Sequence, residues 1–184
     1  MGTKRSHKDV RSEAGRRGDG RAPAGRRNAG PLIRILAGGR WRADDPARAL
    51  YDEYVRRLNR PIELVEIDPR LTDQAERTAR EGARMLEAVA ATPGGILIAL
   101  DERGRSLDSA GFADRLRGWQ ESGAPALVFT IGGADGLATP VREAADFSLS
   151  FGAMTWPHLM VRAMLAEQLY RASAILSGHP YHRG

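Results

Sequence analysis

The chain has 184 residues, 42% of them hydrophobic, with 28 Lys+Arg against 23 Asp+Glu, the size and composition of one ordinary globular domain. It contains no cysteine, which excludes zinc fingers, iron–sulfur clusters, thiol nucleophiles and disulfides. No apolar run approaches the ~18–20 residues of a membrane span, and the N-terminus has charge without a hydrophobic core segment, so the expectation is a cytoplasmic protein with no membrane partner.

The charge is uneven. Residues 1–30 carry nine basic and three acidic side chains, +6, leaving −1 for the rest of a chain whose total is +5. This stretch is rich in Arg, Gly and Ala and holds no large apolar residue beyond Met1 and Val10. It cannot bury enough surface to offset the entropy of ordering and is expected to be a disordered basic tail. Such a tail suits non-specific attraction to a phosphate backbone. A start codon assigned too early, or a solvated tail with no role, explains it equally well, and its three acids weigh against a transit peptide.

From residue 31 to 184 the pattern becomes short apolar runs alternating with longer periodic segments, as in an α/β domain. Leu32 to Ala37 reads as a first strand. Asp44-Asp45-Pro46 supplies a helix cap and first turn for a helix through Leu58. Ile62 to Ile67 alternates as a second strand, followed by a charged helix from Thr72 to Ala90 whose apolar face is thin before Met85. Ile96 to Leu100 and Ala126 to Ile131 are continuous apolar runs, the expected central strands buried on both faces. Between them lies a helix over Ser109 to Glu121. A short helix at Thr139 to Ala144, a strand at Phe147 to Phe151 and a long helix over Pro157 to Leu176 complete a mostly parallel sheet with helices on both faces.

Ligands of open α/β sheets bind beyond the carboxyl ends of strands, which directs attention to the loops after Leu100, Ile131 and Phe151. Gly132-Gly133-Ala134-Asp135-Gly136 after the second of these allows close approach of a ligand, although a glycine-rich turn is equally explained by joining strand to helix. It matches neither a phosphate-binding P-loop nor the dinucleotide fingerprint. Three of the four histidines, His158, His179 and His182, fall in the last quarter. Their spacing makes no metal set, and by residue type alone they are also explained as a helix-start residue and terminal surface groups. The end, Gly178-His179-Pro180-Tyr181-His182-Arg183, combines stacking rings with a phosphate-pairing Arg and suits RNA contact. No nucleophile-elbow serine motif is present. Trp41 and Trp119 are assigned to packing.

Taken in order, Leu100-Asp101, Ile131 to Leu137, Met154-Thr155-Trp156-Pro157-His158-Leu159-Met160-Val161-Arg162, Ala166-Glu167-Gln168-Leu169-Tyr170-Arg171-Ala172 and the terminal His-Pro-Tyr-His-Arg resemble the ribosomal RNA large subunit methyltransferase H family. The resemblance runs from Leu32 to Gly184 and leaves the basic tail outside. It implies a SPOUT-type α/β fold with a C-terminal trefoil knot and a homodimer. It further implies methyl transfer from S-adenosylmethionine to N3 of a pseudouridine in the large-subunit rRNA of assembled ribosomes, with no metal. By the same match, Leu100, Gly132, Phe151, Gly152, Ala153, Met154, Thr155 and Trp156 line the cofactor pocket. Gly152 and Trp156 stand where the family more usually has Ser and Leu. His158, Arg162 and Tyr181 are the catalytic candidates, His158 as base or orienting group and Arg162 as partner of a phosphate or of the O2/O4 charge. His179, Tyr181, His182 and Arg183 are expected at the RNA, the tyrosine and its neighbours reaching it from either subunit. The alternatives are another SPOUT RNA methyltransferase and a non-catalytic ribosome-binding factor.

Overall fold

The computed structural model describes residues 1–2, 30–58 and 60–182, with only the backbone for His182. The Arg/Gly-rich stretch at 3–29 and Arg183 therefore lie outside the described residues. Five strands alternate with five helices: β1 (Leu32–Gly38), α1 (Pro46–Arg57), β2 (Ile62–Ile67), α2 (Gln74–Ala90), β3 (Ile96–Ser106), α3 (Ser109–Glu121), β4 (Ala126–Ile131), α4 (Thr139–Ala144), β5 (Phe147–Ser150) and α5 (His158–Ser177). A single 3₁₀ turn, Pro180–His182, follows α5.

All pairings are parallel, in the order β2-β1-β4-β3-β5. Every residue of β4 is buried, as its unbroken apolar sequence requires of a strand covered on both faces. One face packs Ile33, Ile35, Leu127 and Phe129 against α1, α3 and α5; the other packs Leu36, Leu97 and Val128 against Met85 of α2 and Val141 of α4. Trp41 and Trp119 are both in the first of these cores.

The helix starts follow from local chemistry. Asp45 caps α1 by accepting from the Ala47 amide (2.8 Å), with Pro46 in the first turn. Asp73 caps α2 through the Glu76 amide (2.7 Å), so that helix opens at Gln74, not at the expected Thr72. The long final helix runs one residue later than expected at both ends and closes on left-handed Gly178 (φ 70°). The largest departure is β3. It continues past Leu100 through the polar residues Asp101 to Ser106, breaks register against β5 between Leu100 and Arg105, and resumes opposite Leu149 and Ser150. Backbone pairing on one edge sustains a strand that its charged sequence conceals. Strand β5 ends at Ser150, one residue short of expectation.

Candidate active site

The carboxyl ends of β3, β4 and β5 open into a cleft of about 630 Å³, and the N-terminus of α5 closes it. That volume lies in the range of small-molecule and cofactor pockets, about 300–1,000 Å³. Of the expected cofactor residues, Leu100, Gly132, Phe151, Gly152, Met154, Thr155 and Trp156 line it together with His158; Ala153 is exposed and stands outside the lining. Glu102, Arg103 and Arg142, which sequence reasoning did not single out, also line it, as do Asp101 and Asp135 of the segments named above.

The Gly132–Gly136 segment is a tight turn in which the Gly136 amide donates to the Gly133 carbonyl (3.1 Å). A Cβ on Gly132 would run into the Gly136 backbone, so the close approach expected of these glycines is first an approach of the loop to itself. Ser150 Oγ accepts from the Gly152 amide (3.1 Å) and donates to the Glu102 carbonyl (3.1 Å), fastening the β5 exit to the far half of β3. Gly152 has φ 113°, a conformation side chains resist, so a substitution there is strained even though the space around it is open.

The cleft is electrostatically mixed. Arg142 lies 3.7 Å from Asp101 and is braced by the Leu137 carbonyl and the Thr139 hydroxyl. Asp135 is held by Arg77 of α2 at 2.5 Å. Beneath the glycine turn sits Glu81, a 6% exposed carboxyl that a Cβ on Gly133 would approach to 2.8 Å. Burial is the main cause that raises its pKa, offset by the Gly133 backbone and the charge of Arg77.

His158 is half-buried at the first position of α5. Burial first, and the nearby charge of Arg162 second, lower its pKa, while Asp135 and Asp45 oppose them. The ring is therefore neutral at neutral pH, able to accept a proton.

Arg162 corrects an expectation. It is 0% exposed and spends its N–H groups on Glu66 Oε1 (3.0 Å) and on the carbonyls of Gly38 (2.6 Å) and Gly39 (2.9 Å). A guanidinium so enclosed has no surface to offer a phosphate or a base; the residue lies behind the cleft, not in it.

Tyr181 stands elsewhere. Its hydroxyl bonds Tyr54 and Glu167, both at 3.3 Å, its ring meets Tyr170 edge-on at 4.7 Å, and the Arg171 guanidinium lies 5.0 Å from its centre. Burial first, then the hydrogen bond to Tyr54 and the charge of Glu167, raise its pKa well above the phenol range, against the charge of Arg171. His179 is exposed and accepts from the Tyr181 amide. Within one chain the cleft therefore gathers His158 and the cofactor candidates but not the C-terminal arm. Among the described residues no group of three or more His, Asp and Glu could hold a metal ion, and no helix is long and apolar enough to cross a membrane.

A family model described as "Predicted SPOUT methyltransferase" matches residues 32–182. The chain belongs to the SPOUT methyltransferase family. Proteins named ribosomal RNA large subunit methyltransferase H are close relatives: that of Rhodospirillum centenum is 54% identical over 138 residues, covering 75% of this chain and 90% of the relative. That of Ruegeria pomeroyi is 47% identical over 154 residues, covering 82% and 98%. Identity of this order over most of both chains places the protein, a methyltransferase, in that branch of the family. Two solved structures share the fold. A methylase-family protein of Haemophilus influenzae superposes with TM-score 0.51 at 12% identity, over 83% of this chain and 70% of the other. A Bordetella pertussis protein described as a probable methyltransferase gives 0.50 at 17%, over 78% and 95%.

Proposed function

We propose that the protein transfers a methyl group from S-adenosylmethionine to N3 of a pseudouridine in the large-subunit rRNA, acting in the cytoplasm as a homodimer on assembled ribosomes. The observation that carries this reading is the cleft itself. Three strand ends supply a ligand-sized space that the half-buried His158 ring also lines, in a chain 54% and 47% identical to large-subunit rRNA methyltransferases over 138 and 154 aligned residues.

The lining fits the cofactor. Leu100, Ile131, Leu137, Met154 and Trp156 offer apolar surface for a base and ribose, the turn at Gly132–Gly136 brings backbone to the wall, and the mixed charges of Asp101, Glu102, Arg103 and Arg142 suit a ligand that itself carries both signs. When bound, S-adenosylmethionine supplies an electrophilic methyl on a sulfonium. The residues must do the rest. N3–H of a uracil-type ring is a weak acid whose proton leaves as the N–C bond forms, and His158, whose ring lines the cleft, is proposed to take or orient it.

Tyr181 and its neighbours His179, His182 and Arg183 are proposed to hold the target nucleotide at the partner's cleft. The segment Asp101–Gly104, packed against Ser148 and Leu149, is proposed as the rim of the C-terminal knot. Residues 1–30 are proposed to add sequence-independent attraction to phosphate.

The test is mass spectrometry of rRNA nucleosides from ribosomes lacking this modification, before and after incubation with protein and S-adenosylmethionine. The reading expects N3-methylpseudouridine to appear. Cofactor binding without transfer would move the assignment to another RNA or to a binding role.

A further inference from the structure

Arg162 heads the fully buried side chains of the described residues by volume, and its position explains more than its packing. We infer that Arg162 is a positioning residue for His158, clamping the ends of β1 and β2 into one rigid turn whose Gly39 is the backbone surface on which the imidazole rests. The inference rests on His158 serving the methyl transfer proposed above.

Five hydrogen bonds make the clamp. One guanidinium nitrogen bonds both the Gly38 and Gly39 carbonyls, and the other bonds Glu66 Oε1 near the end of β2. The same carboxylate oxygen accepts from the Trp41 amide (2.7 Å), and the Gly39 amide donates to the Ile67 carbonyl (2.8 Å). The guanidinium also lies 4.9 Å from the centre of the Trp41 ring, itself 5.0 Å from Tyr51. A planar fork can serve these acceptors together; an ammonium at the same place cannot.

The link to His158 is direct. The two side chains are i and i+4 on α5, one turn apart on one face. Gly39 has φ 78°, and a Cβ there would stand 3.1 Å from His158 Nε2. The turn that Arg162 holds is thus the wall behind the ring. Arg162 also acts through its charge, which helps keep the imidazole neutral against Asp135 of the β4–α4 loop and Asp45 at the start of α1. Stability alone does not call for this arrangement. A buried ion pair is often no better than an apolar replacement, and here Arg162 Nε is left without a partner.

The experiment compares Arg162→Lys, Arg162→Met and Glu66→Gln in the full-length protein. NMR follows the His158 ring titration and its contact with the Gly39 α-protons; calorimetry reads cofactor affinity; nucleoside mass spectrometry reads kcat. Arg162→Lys keeps the charge and breaks the fork: the His158 midpoint stays near that of the wild type, the ring–Gly39 contact is lost, and kcat falls about ten- to a hundredfold with cofactor affinity unchanged. Arg162→Met moves the midpoint upward. Glu66→Gln, with Arg162 in place, weakens the ring–Gly39 contact and lowers kcat less, and it decides the question with Arg162→Lys if the methionine variant does not fold. Wild-type kcat and an intact contact in both Arg162→Lys and Glu66→Gln would overturn the inference. Should the wild type itself not methylate rRNA, the functional reading fails while the NMR measurements still judge the clamp.

Discussion

The two ends of α5 are built for different work. At its N-terminus His158 faces the cleft and Arg162, one turn on, is locked in the interior by Glu66 and two carbonyls. Beyond its C-terminus Tyr181 sits in a half-exposed cluster of rings and charges with Tyr54, Tyr170, Glu167 and Arg171. Twenty helical residues separate these ends, about 30 Å at 1.5 Å per residue. The helix is a spacer: within one chain Tyr181 and His158 stand at its opposite ends, and the proposed homodimer is what would bring the two halves of the candidate set together.

Variants at the two ends should separate along that division. His158→Ala is expected to cost about 10²–10⁴-fold in kcat, with cofactor affinity intact by calorimetry. Tyr181→Ala should act on RNA alone, lowering kcat/KM for ribosomes by roughly 5- to 150-fold, the worth of one base stacked on an aromatic ring. An equal loss of cofactor binding in Tyr181→Ala would erase the division. Gly132→Val, whose side chain would collide with the Gly136 backbone, should instead weaken the cofactor about tenfold or more and leave RNA affinity unchanged in a filter-binding assay.

Acid should also distinguish the ends. The folded-state pKa of His158 lies below its unfolded value near 6.5, so below about pH 6.5 the unfolded chain binds the extra proton more readily and stability falls with pH. Denaturation midpoints of the wild type should drop more steeply between pH 7 and 5 than those of His158→Asn. Parallel curves would show that the ring is not buried as described. The smallest effect is expected at Glu81, whose pKa is raised by burial. Ionising it costs the fold stability at neutral pH, so Glu81→Gln should melt at the same temperature or slightly higher at pH 7. That advantage should vanish as the pH falls below the ordinary carboxylate range and the wild-type carboxyl is itself protonated.

Much of the fold was legible because its determinants are local. The apolar runs of β1 and β4, the cap Asp45 and the periodicity of α3 each act within a few residues. The polar half of β3 was not, since Asp101 to Ser106 owe their strand conformation to pairing with β5, more than forty residues away. The site divided in the same way. Loops after parallel strands are predictable as ligand positions, and seven of the eight expected cofactor residues do line the cleft. The burial of Arg162 and of Glu81 was not legible, since what encloses them is a carboxylate and a glycine turn far off in sequence. For Arg162 the partner Glu66 is 96 residues away. Its other acceptors, the Gly38 and Gly39 carbonyls, are more distant still, 124 and 123 residues away.

The most direct test of the division is complementation. His158→Ala and Tyr181→Ala would carry different affinity tags, be co-expressed, and be purified as the doubly tagged species before rRNA methylation is measured at ribosome concentrations well below KM, where each parent alone is impaired. If the arm of one subunit completes the cleft of the other, the mixed dimer holds one intact site, His158 from one chain and Tyr181 from its partner, and methyl transfer returns to about half the wild-type rate. If both groups act within a single chain, no intact site exists in the mixed dimer; a doubly tagged species as inactive as its parents would contradict the account.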